Sequence, residues 1–166
     1  MNFINEVNNF KSIFFKKQNV FLVLIIFIIF TLDRFSKIKI INNLNDRVYF
    51  VNDFINLELI WNTGIGFGFL STETELFYNL ITLLVGLVIL GLLYSAFISI
   101  NIDNFIYSII IGGACGNLYD RLIYKAVPDF IDFHYNNFHW FTFNVADIFI
   151  TSGIIIFIIR SFFVKN

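Results

Sequence analysis

The segment LFYNLITLLVGLVILGLLYSAFISI, residues 76–100, decides the fold class. It is uncharged and long enough to cross a hydrocarbon core of about 30 Å with some tilt. A second apolar run, VFLVLIIFIIFTL at 20–32, must continue to about residue 40 to cross as well. The charged sequence LDRFSK overlaps its end and no small-residue cleavage site follows, which excludes a signal peptide. With 58% hydrophobic and 14% charged residues, the composition indicates a membrane protein.

The pattern predicts an all-α bundle of four transmembrane helices with a small extramembrane β-sheet at the outer face. The predicted spans are approximately 20–40, 76–100, 105–119 and 145–164. Within residues 41–75, VYFVNDFINLELIWN alternates between apolar and polar residues and indicates short surface strands joined by a turn. Residues 120–144 are predicted to form an outer loop, and 101–104 a tight link between spans. The whole chain, 1–166, is interpreted as a single membrane-embedded domain.

The distribution of basic residues predicts the orientation in the membrane. Lys11, Lys16 and Lys17 lie near the N-terminus, and Arg160 and Lys165 lie near the C-terminus. Basic residues accumulate on the cytoplasmic side of membrane proteins, so both termini are predicted to be cytoplasmic. The two longer polar stretches then meet at the outer face.

Composition disfavours several other function classes. A net charge of -1 argues against a nucleic-acid partner, which requires a concentrated basic surface. The single cysteine, Cys115, excludes an intramolecular disulfide. His134, His139 and Asp132 could suggest zinc, but the spacing of five and the lack of an HExxH pattern disfavour it. We therefore predict no metal and no cofactor, and interpret the histidines as interfacial residues. Gly112, Gly113 and Gly116 indicate a close helix-packing face.

Several polar pairs stand at helical spacing. Asp33 and Lys37 are four residues apart, which places them on one helix face and predicts an ion pair. In two other places an asparagine precedes an aspartate by one helical turn, namely Asn117 with Asp120 and Asn144 with Asp147. Asn144 could be only a helix cap. A capping role for Asn144 does not explain why a carboxylate stands at Asp147, which lies one helical turn further on and precedes an apolar run.

Carboxylates are the chemically capable groups of this chain. A carboxylate near lipid costs roughly 2.5 to 3.5 kcal/mol, so Asp129 and Asp147 require a reason beyond folding. Two adjacent carboxylates share a proton and can activate water for attack on a peptide carbonyl. By this argument alone Asp33, Asp120 and Asp132 are also eligible.

Five motifs in order resemble the signal peptidase II family, also called the lipoprotein signal peptidases. They are LDRFSK (32–37), NTGIGFGF (62–69), GGACGNLYDR (112–121), VPDFIDF (127–133) and FNVAD (143–147). The resemblance implies that Asp129 and Asp147 are the catalytic aspartates. It also implies supporting or substrate-binding roles for eight further residues: Asp33, Lys37, Asn62, Gly64, Asn117, Asp120, Arg121 and Asn144. Pro128 stands where the family usually has valine. The glycines at 64, 66 and 68 provide either backbone flexibility or close approach to a ligand.

The implied reaction is removal of the signal peptide from a diacylglyceryl-modified prolipoprotein, just before its lipidated cysteine. The implied setting is the bacterial inner membrane, with the site towards the outer face and membrane lipids around a monomeric enzyme. One rival interpretation is a small proton-coupled carrier that relays protons through Asp129 and Asp147. A second is a membrane scaffold that uses its polar residues only to join helices.

Overall fold

The computed structural model describes residues 16–44, 47–64, 75–99, 101–136 and 138–163. These residues form four helices and one four-stranded sheet. The helices are α1 (Lys17–Asn43), α2 (Glu75–Ile98), α3 (Asn101–Tyr124) and α4 (Val145–Phe163). The strands are β1 (Tyr49–Asn52), β2 (Ile55–Asn62), β3 (Val127–Tyr135) and β4 (Phe138–Phe143). Residues 65–74 and 164, which belong to the predicted surface region and the predicted last span, lie outside the described residues.

Three of the described helices, α1, α2 and α4, are long and apolar enough to cross a membrane. Large apolar side chains on their outer faces are exposed, as at Phe27, Leu84 and Ile155. Such a surface is compatible with lipid and not with water. The predicted spans at 20–40, 76–100 and 145–164 therefore coincide with apolar helices. The predicted span 105–119 lies inside α3, which falls short of the same apolar standard.

Helix α3 packs against all three other helices. A Cβ atom added at Gly112 would lie 2.8 Å from Ile29 Cβ of α1, and one at Gly113 would lie 2.6 Å from the Ala146 carbonyl oxygen of α4. The predicted helix-packing face is thus confirmed, because only glycine allows such close approach. The central position of α3 explains its polarity, since its polar side chains face protein. The apolar core contains Leu22, Ile89, Ala96 and Ile111.

The sheet is antiparallel with the strand order β1-β2-β3-β4. The predicted strands and turn within 41–75 are confirmed as the β1–β2 hairpin. The prediction of an outer loop at 120–144 was wrong, because α3 continues to Tyr124 and is followed by β3 and β4. Most of β3 is buried, so it lacks the alternation that reveals a half-buried strand. The predicted link at 101–104 was also wrong, since these residues form the first turn of α3.

Candidate active site

Asp129 lies on β3 opposite Ile60 of β2 and is 2% exposed. Asn62, near this point on β2, donates from Nδ2 to Asp129 Oδ2 at 2.8 Å. β4 pairs with β3 only from Ile131 onward, so one side of β3 has no β4 partner at Pro128. A strand tolerates proline where a ladder partner is missing. Pro128 is therefore compatible with the strand, and the hydrogen bond between Asn62 and Asp129 is present next to it.

Asp147 lies in the first turn of α4 and is held by a reciprocal helix cap. The Asn144 Oδ1 atom accepts from the Asp147 backbone N–H at 3.1 Å, and Asp147 Oδ2 accepts from the Asn144 backbone N–H at 3.1 Å. This is the capping-box arrangement, with aspartate as the acid at the third helical position. The positive end of the helix dipole also favours a carboxylate here.

Asn144 joins the two aspartates. Its Nδ2 donates to Asp129 Oδ1 at 2.6 Å while its Oδ1 caps the turn that carries Asp147. Asn117 of α3 donates from Nδ2 to Asp147 Oδ1 at 2.8 Å. Together with Asn62, these contacts give each of the four carboxylate oxygens an N–H donor. The loop between β4 and α4 thus brings together two aspartates that are 18 positions apart in the sequence (147 minus 129).

Electrostatics tune the Asp129 carboxyl. Its pKa is raised from 3.8 to about 6. The largest cause is burial of the carboxyl group, and the second is the negative charge of Asp147. The hydrogen bonds from Asn62 and Asn144 act in the opposite direction. Asp129 therefore exchanges its proton closer to neutral pH than an ordinary aspartate, a property suited to general acid–base chemistry.

A buried charged cluster lies behind this pair of aspartates. Lys37 is 0% exposed, and its Nζ lies 2.8 Å from Asp33 Oδ2 and 2.7 Å from Asp120 Oδ2. The predicted ion pair between Asp33 and Lys37 is thus confirmed. The same Nζ donates to Asn117 Oδ1 at 2.9 Å. Because Asn117 accepts from Lys37, its amide N–H₂ is directed at Asp147.

The cluster also ties three helices together. Asp33 Oδ1 accepts from the Ala146 backbone N–H of α4 at 2.9 Å. Arg34 of α1 forms an ion pair with Asp120 of α3, and its guanidinium lies 4.6 Å from the centre of the Tyr119 ring. Arg34 was missed by the sequence analysis, although it stands within LDRFSK. The sequence shows Arg34 only as an arginine inside an apolar run, and this does not identify the residue with which it pairs.

Arg121 and Gly64 support the β2 side of the site. Arg121 is 5% exposed and donates from Nη2 to the Gly64 carbonyl oxygen at 2.7 Å. The Gly64 N–H donates to Asn62 Oδ1 at 2.8 Å, which leaves the Asn62 Nδ2 for Asp129. Gly64 therefore contributes through its backbone. Positions 66 and 68 lie outside the described residues, so their interpretation stays a prediction.

Residues 25–163 match the family model described as signal peptidase (SPase) II. The chain belongs to the signal peptidase II family. It is accordingly an aspartic peptidase, and the family match together with the apolar helices identifies it as a protein of the bacterial inner membrane.

Relatives of known name agree with this family. The lipoprotein signal peptidase of Pelagibacter ubique (strain HTCC1062) is 44% identical over 147 residues, covering 87% of this chain and 89% of the relative. That of Thermodesulfovibrio yellowstonii is 39% identical over 137 residues, covering 82% and 90%. Two solved structures of bacterial membrane enzymes, each 29% identical, superpose with TM-scores of 0.69 and 0.65. They cover 85% and 84% of this chain and 87% and 90% of their own chains.

All ten residues predicted for the site of this signal peptidase II family member fall within the described part of the chain. The structure joins them in one hydrogen-bonded and ionic network, consisting of Asp33, Lys37, Asn62, Gly64, Asn117, Asp120, Arg121, Asp129, Asn144 and Asp147. Their roles in the reaction stay predictions.

Asp132, the remaining candidate carboxylate, is engaged elsewhere. Its Oδ2 lies 2.8 Å from His139 Nδ1, and His139 stacks on His134 with ring centres 5.3 Å apart. His134 is 6% exposed, and the interpretation of both histidines as residues of the membrane interface stays a prediction. No group of three His, Cys, Asp or Glu side chains among the described residues is arranged to hold a metal ion.

Proposed function

We propose that this peptidase removes the signal peptide from diacylglyceryl-modified prolipoproteins and cleaves just before the lipidated cysteine. Asp129 and Asp147 are the proposed catalytic pair. The observation that carries this assignment is Asn144, whose side chain and backbone bond both carboxylates at once. The relatives named lipoprotein signal peptidase support the substrate class.

The proposed chemistry needs only water and the two carboxyl groups. Two adjacent carboxylates cannot both ionise easily, so the pair holds one proton. The ionised member accepts a proton from the attacking water while the protonated member donates its proton to the carbonyl oxygen. The first member then passes the proton from water to the departing amine, and the second recovers a proton from a hydroxyl group of the tetrahedral centre as the new carboxyl group forms, which restores the singly protonated pair. Asn62, Asn117 and Asn144 keep the four oxygens in fixed positions, which lowers the cost of reaching the reactive geometry.

The membrane arrangement is part of the proposal. We place α3 across the bilayer as a fourth span, because α1, α2 and α4 surround it and shield its polar side chains from lipid. Both termini then lie in the cytoplasm, and the sheet and the aspartates lie at the outer face. There a prolipoprotein brings its lipid and its own apolar helix to the site from the bilayer. The proposal treats residues 1–166 as a single domain that acts as a monomer, because one chain holds every proposed catalytic residue.

Cleavage of a purified diacylglyceryl prolipoprotein tests the assignment. Asp129→Asn and Asp147→Asn should each lower the cleavage rate by at least about a hundredfold, the usual range for a general acid or base. Asp53→Asn, an exposed carboxylate on the turn between β1 and β2, is the matched control and should cleave like the wild type. Full cleavage by either active-site variant would refute the pair.

The same preparation separates the rivals. A proton-coupled carrier predicts acidification of sealed vesicles and no cleavage, and a scaffold predicts that the Asp→Asn variants are tolerated. A prolipoprotein without the diacylglyceryl group should be cut far more slowly if the lipid is part of the substrate.

Labelling of single cysteines tests the orientation. In a Cys115→Ser background, Asp53→Cys should react with a membrane-impermeant maleimide in intact spheroplasts, whereas Ser161→Cys at the end of α4 should react only after permeabilisation. The reverse pattern would place the site on the cytoplasmic side.

A further inference from the structure

A groove lies along the surface where α2 and α3 meet. It has a volume of about 570 Å³ and its walls are mainly leucine. The apolar wall residues are Leu83, Leu87, Ile89, Leu90, Leu118 and Leu122. Gly86 lines the groove as well, and a Cβ added there would meet nothing within 4 Å. The groove is therefore open space beside a glycine, where a larger side chain could fill it.

One end of this groove is cationic. Helix α2 begins where the antiparallel α3 ends, so Asn79 and Thr82 of the first turns of α2 stand at the same end as Arg121 and Lys125. None of the described residues that line the groove is acidic. A neutral acyl chain gains nothing from two positive charges, whereas an anionic headgroup above the chain does.

The two cations differ in accessibility. Arg121 is 5% exposed, its Nη2 donates to the Gly64 carbonyl oxygen, and its Nε and Nη1 are buried without an acceptor among the described residues, so its positive charge is not neutralised by those two atoms. Lys125 is exposed, follows the last residue of α3 directly and has a left-handed φ of 57°. Glycine is the usual residue at that position because a side chain strains the backbone there.

The length of the groove matches an acyl chain in one leaflet. From Asn79 to Leu90 the helix rises roughly 16 Å at about 1.5 Å per residue. Half of a hydrocarbon core of about 30 Å is roughly 15 Å. The groove as a whole, counted from its cationic end, thus spans about the depth of one leaflet, and its apolar part from Leu83 to Leu90 accounts for roughly 10 Å of that length.

We propose that the groove between α2 and α3 binds an anionic glycerophospholipid. One acyl chain lies along the leucines over Gly86, and the phosphate lies beside the exposed Lys125, with the buried positive charge of Arg121 behind it. This lipid is distinct from the proposed substrate, whose diacylglyceryl group is uncharged, so the site does not depend on the proposed peptidase reaction.

Native mass spectrometry of the full chain, titrated with phosphatidylglycerol or with phosphatidylcholine of the same acyl chains, tests the proposal. The wild type should bind phosphatidylglycerol more tightly. Lys125→Glu should weaken phosphatidylglycerol binding by at least about fivefold and leave phosphatidylcholine binding unchanged, because a charge near the headgroup contributes about that factor. Gly86→Phe should weaken the binding of both lipids by filling the groove.

Matched controls exist for both variants. Lys39→Glu reverses another exposed lysine, at the corresponding end of α1, and Gly91→Phe fills open space on α2 outside the groove. Both controls should bind phosphatidylglycerol like the wild type. Equal binding of the two lipids by the wild type, or an equal loss in variant and control, would overturn the proposal. So would displacement of the bound lipid by a neutral diacylglyceryl peptide. If Gly86→Phe fails to fold by circular dichroism, the Lys125→Glu comparison decides alone.

Discussion

Replacement of Lys37 by methionine is the sharpest perturbation of the network behind the aspartates. The Lys37 side chain is 0% exposed, and its ammonium group lies within 2.9 Å of two carboxylates and one amide oxygen. Together with Arg34 it balances the charges of Asp33 and Asp120. Methionine keeps the apolar stem but leaves this buried cluster with one uncompensated negative charge.

The expected cost is large. Removing one partner of a buried ion pair costs about 3 to 5 kcal/mol, because the remaining charge stays desolvated. Total stabilities of folded proteins are about 5 to 15 kcal/mol, so Lys37→Met should lower the free energy of unfolding by a substantial share. Adding Asp33→Asn restores neutrality and keeps an oxygen acceptor for the Ala146 N–H. The double variant should therefore be more stable than Lys37→Met alone.

Unfolding by heat in detergent micelles, followed by far-UV circular dichroism, measures these differences. Lys39→Met, an exposed lysine of the same helix, is the control and should change stability by less than about 0.5 kcal/mol. The reasoning fails if Lys37→Met is as stable as this control. It also fails if the loss of unfolding free energy in the double variant equals the sum of the losses in Lys37→Met and Asp33→Asn, since the two charges would then contribute independently.

Three further outcomes follow from the structure. The pKa of Asp129 is raised to about 6, so the native state holds this proton more tightly than the unfolded chain, and stability should fall by about 3 kcal/mol as pH rises from about 4 to above 6. Denaturant titrations across this range should show a fall that is smaller in Asp129→Asn than in the wild type by about this amount. Gly116→Ala should lower the unfolding temperature, because the added Cβ atom would overlap the Asp33 carboxylate. Gly91→Ala adds a Cβ atom that faces open space, so its free energy of unfolding in denaturant titrations should stay within about 1 kcal/mol of the wild-type value. Arg160→Ala breaks a partly exposed ion pair to α3, so it should cost less than about 1 kcal/mol in the same titrations and leave cleavage unchanged.

Local spacing predicted the parts of the site that lie within one helix. The separation of four between Asp33 and Lys37 predicted an ion pair, and the structure shows it. The separation of three between Asn144 and Asp147 placed amide and carboxylate side by side, as observed. Apolar length predicted a helix at each of the four spans, and three of these helices are long and apolar enough to cross a membrane. These features depend on residues within one or two helical turns, which the sequence displays directly.

Long-range contacts could not be predicted in the same way. Asn62 bonds Asp129 across 67 positions, and Arg34 pairs with Asp120 across 86, so nothing local announces either contact. β3 was missed because both of its faces are covered, and a covered strand does not alternate. α3 is too polar for a hydropathy criterion because it lies inside the bundle, where its polar groups have protein partners.

A helix cap and a reactive site were alternatives for Asn144 on sequence grounds, yet in the structure they are the same contacts. The cap fixes the orientation of the Asn144 side chain, because its Oδ1 atom accepts from the Asp147 N–H. In that orientation the Nδ2 atom donates to Asp129. The return bond from the Asn144 N–H fixes one oxygen of Asp147, and Asn117, oriented by Lys37, fixes the other. The start of α4 therefore positions both carboxylates through ordinary capping geometry. The costly charges near lipid are made tolerable by the same bonds that align them, so stability and alignment of this site cannot be varied separately at Asn144.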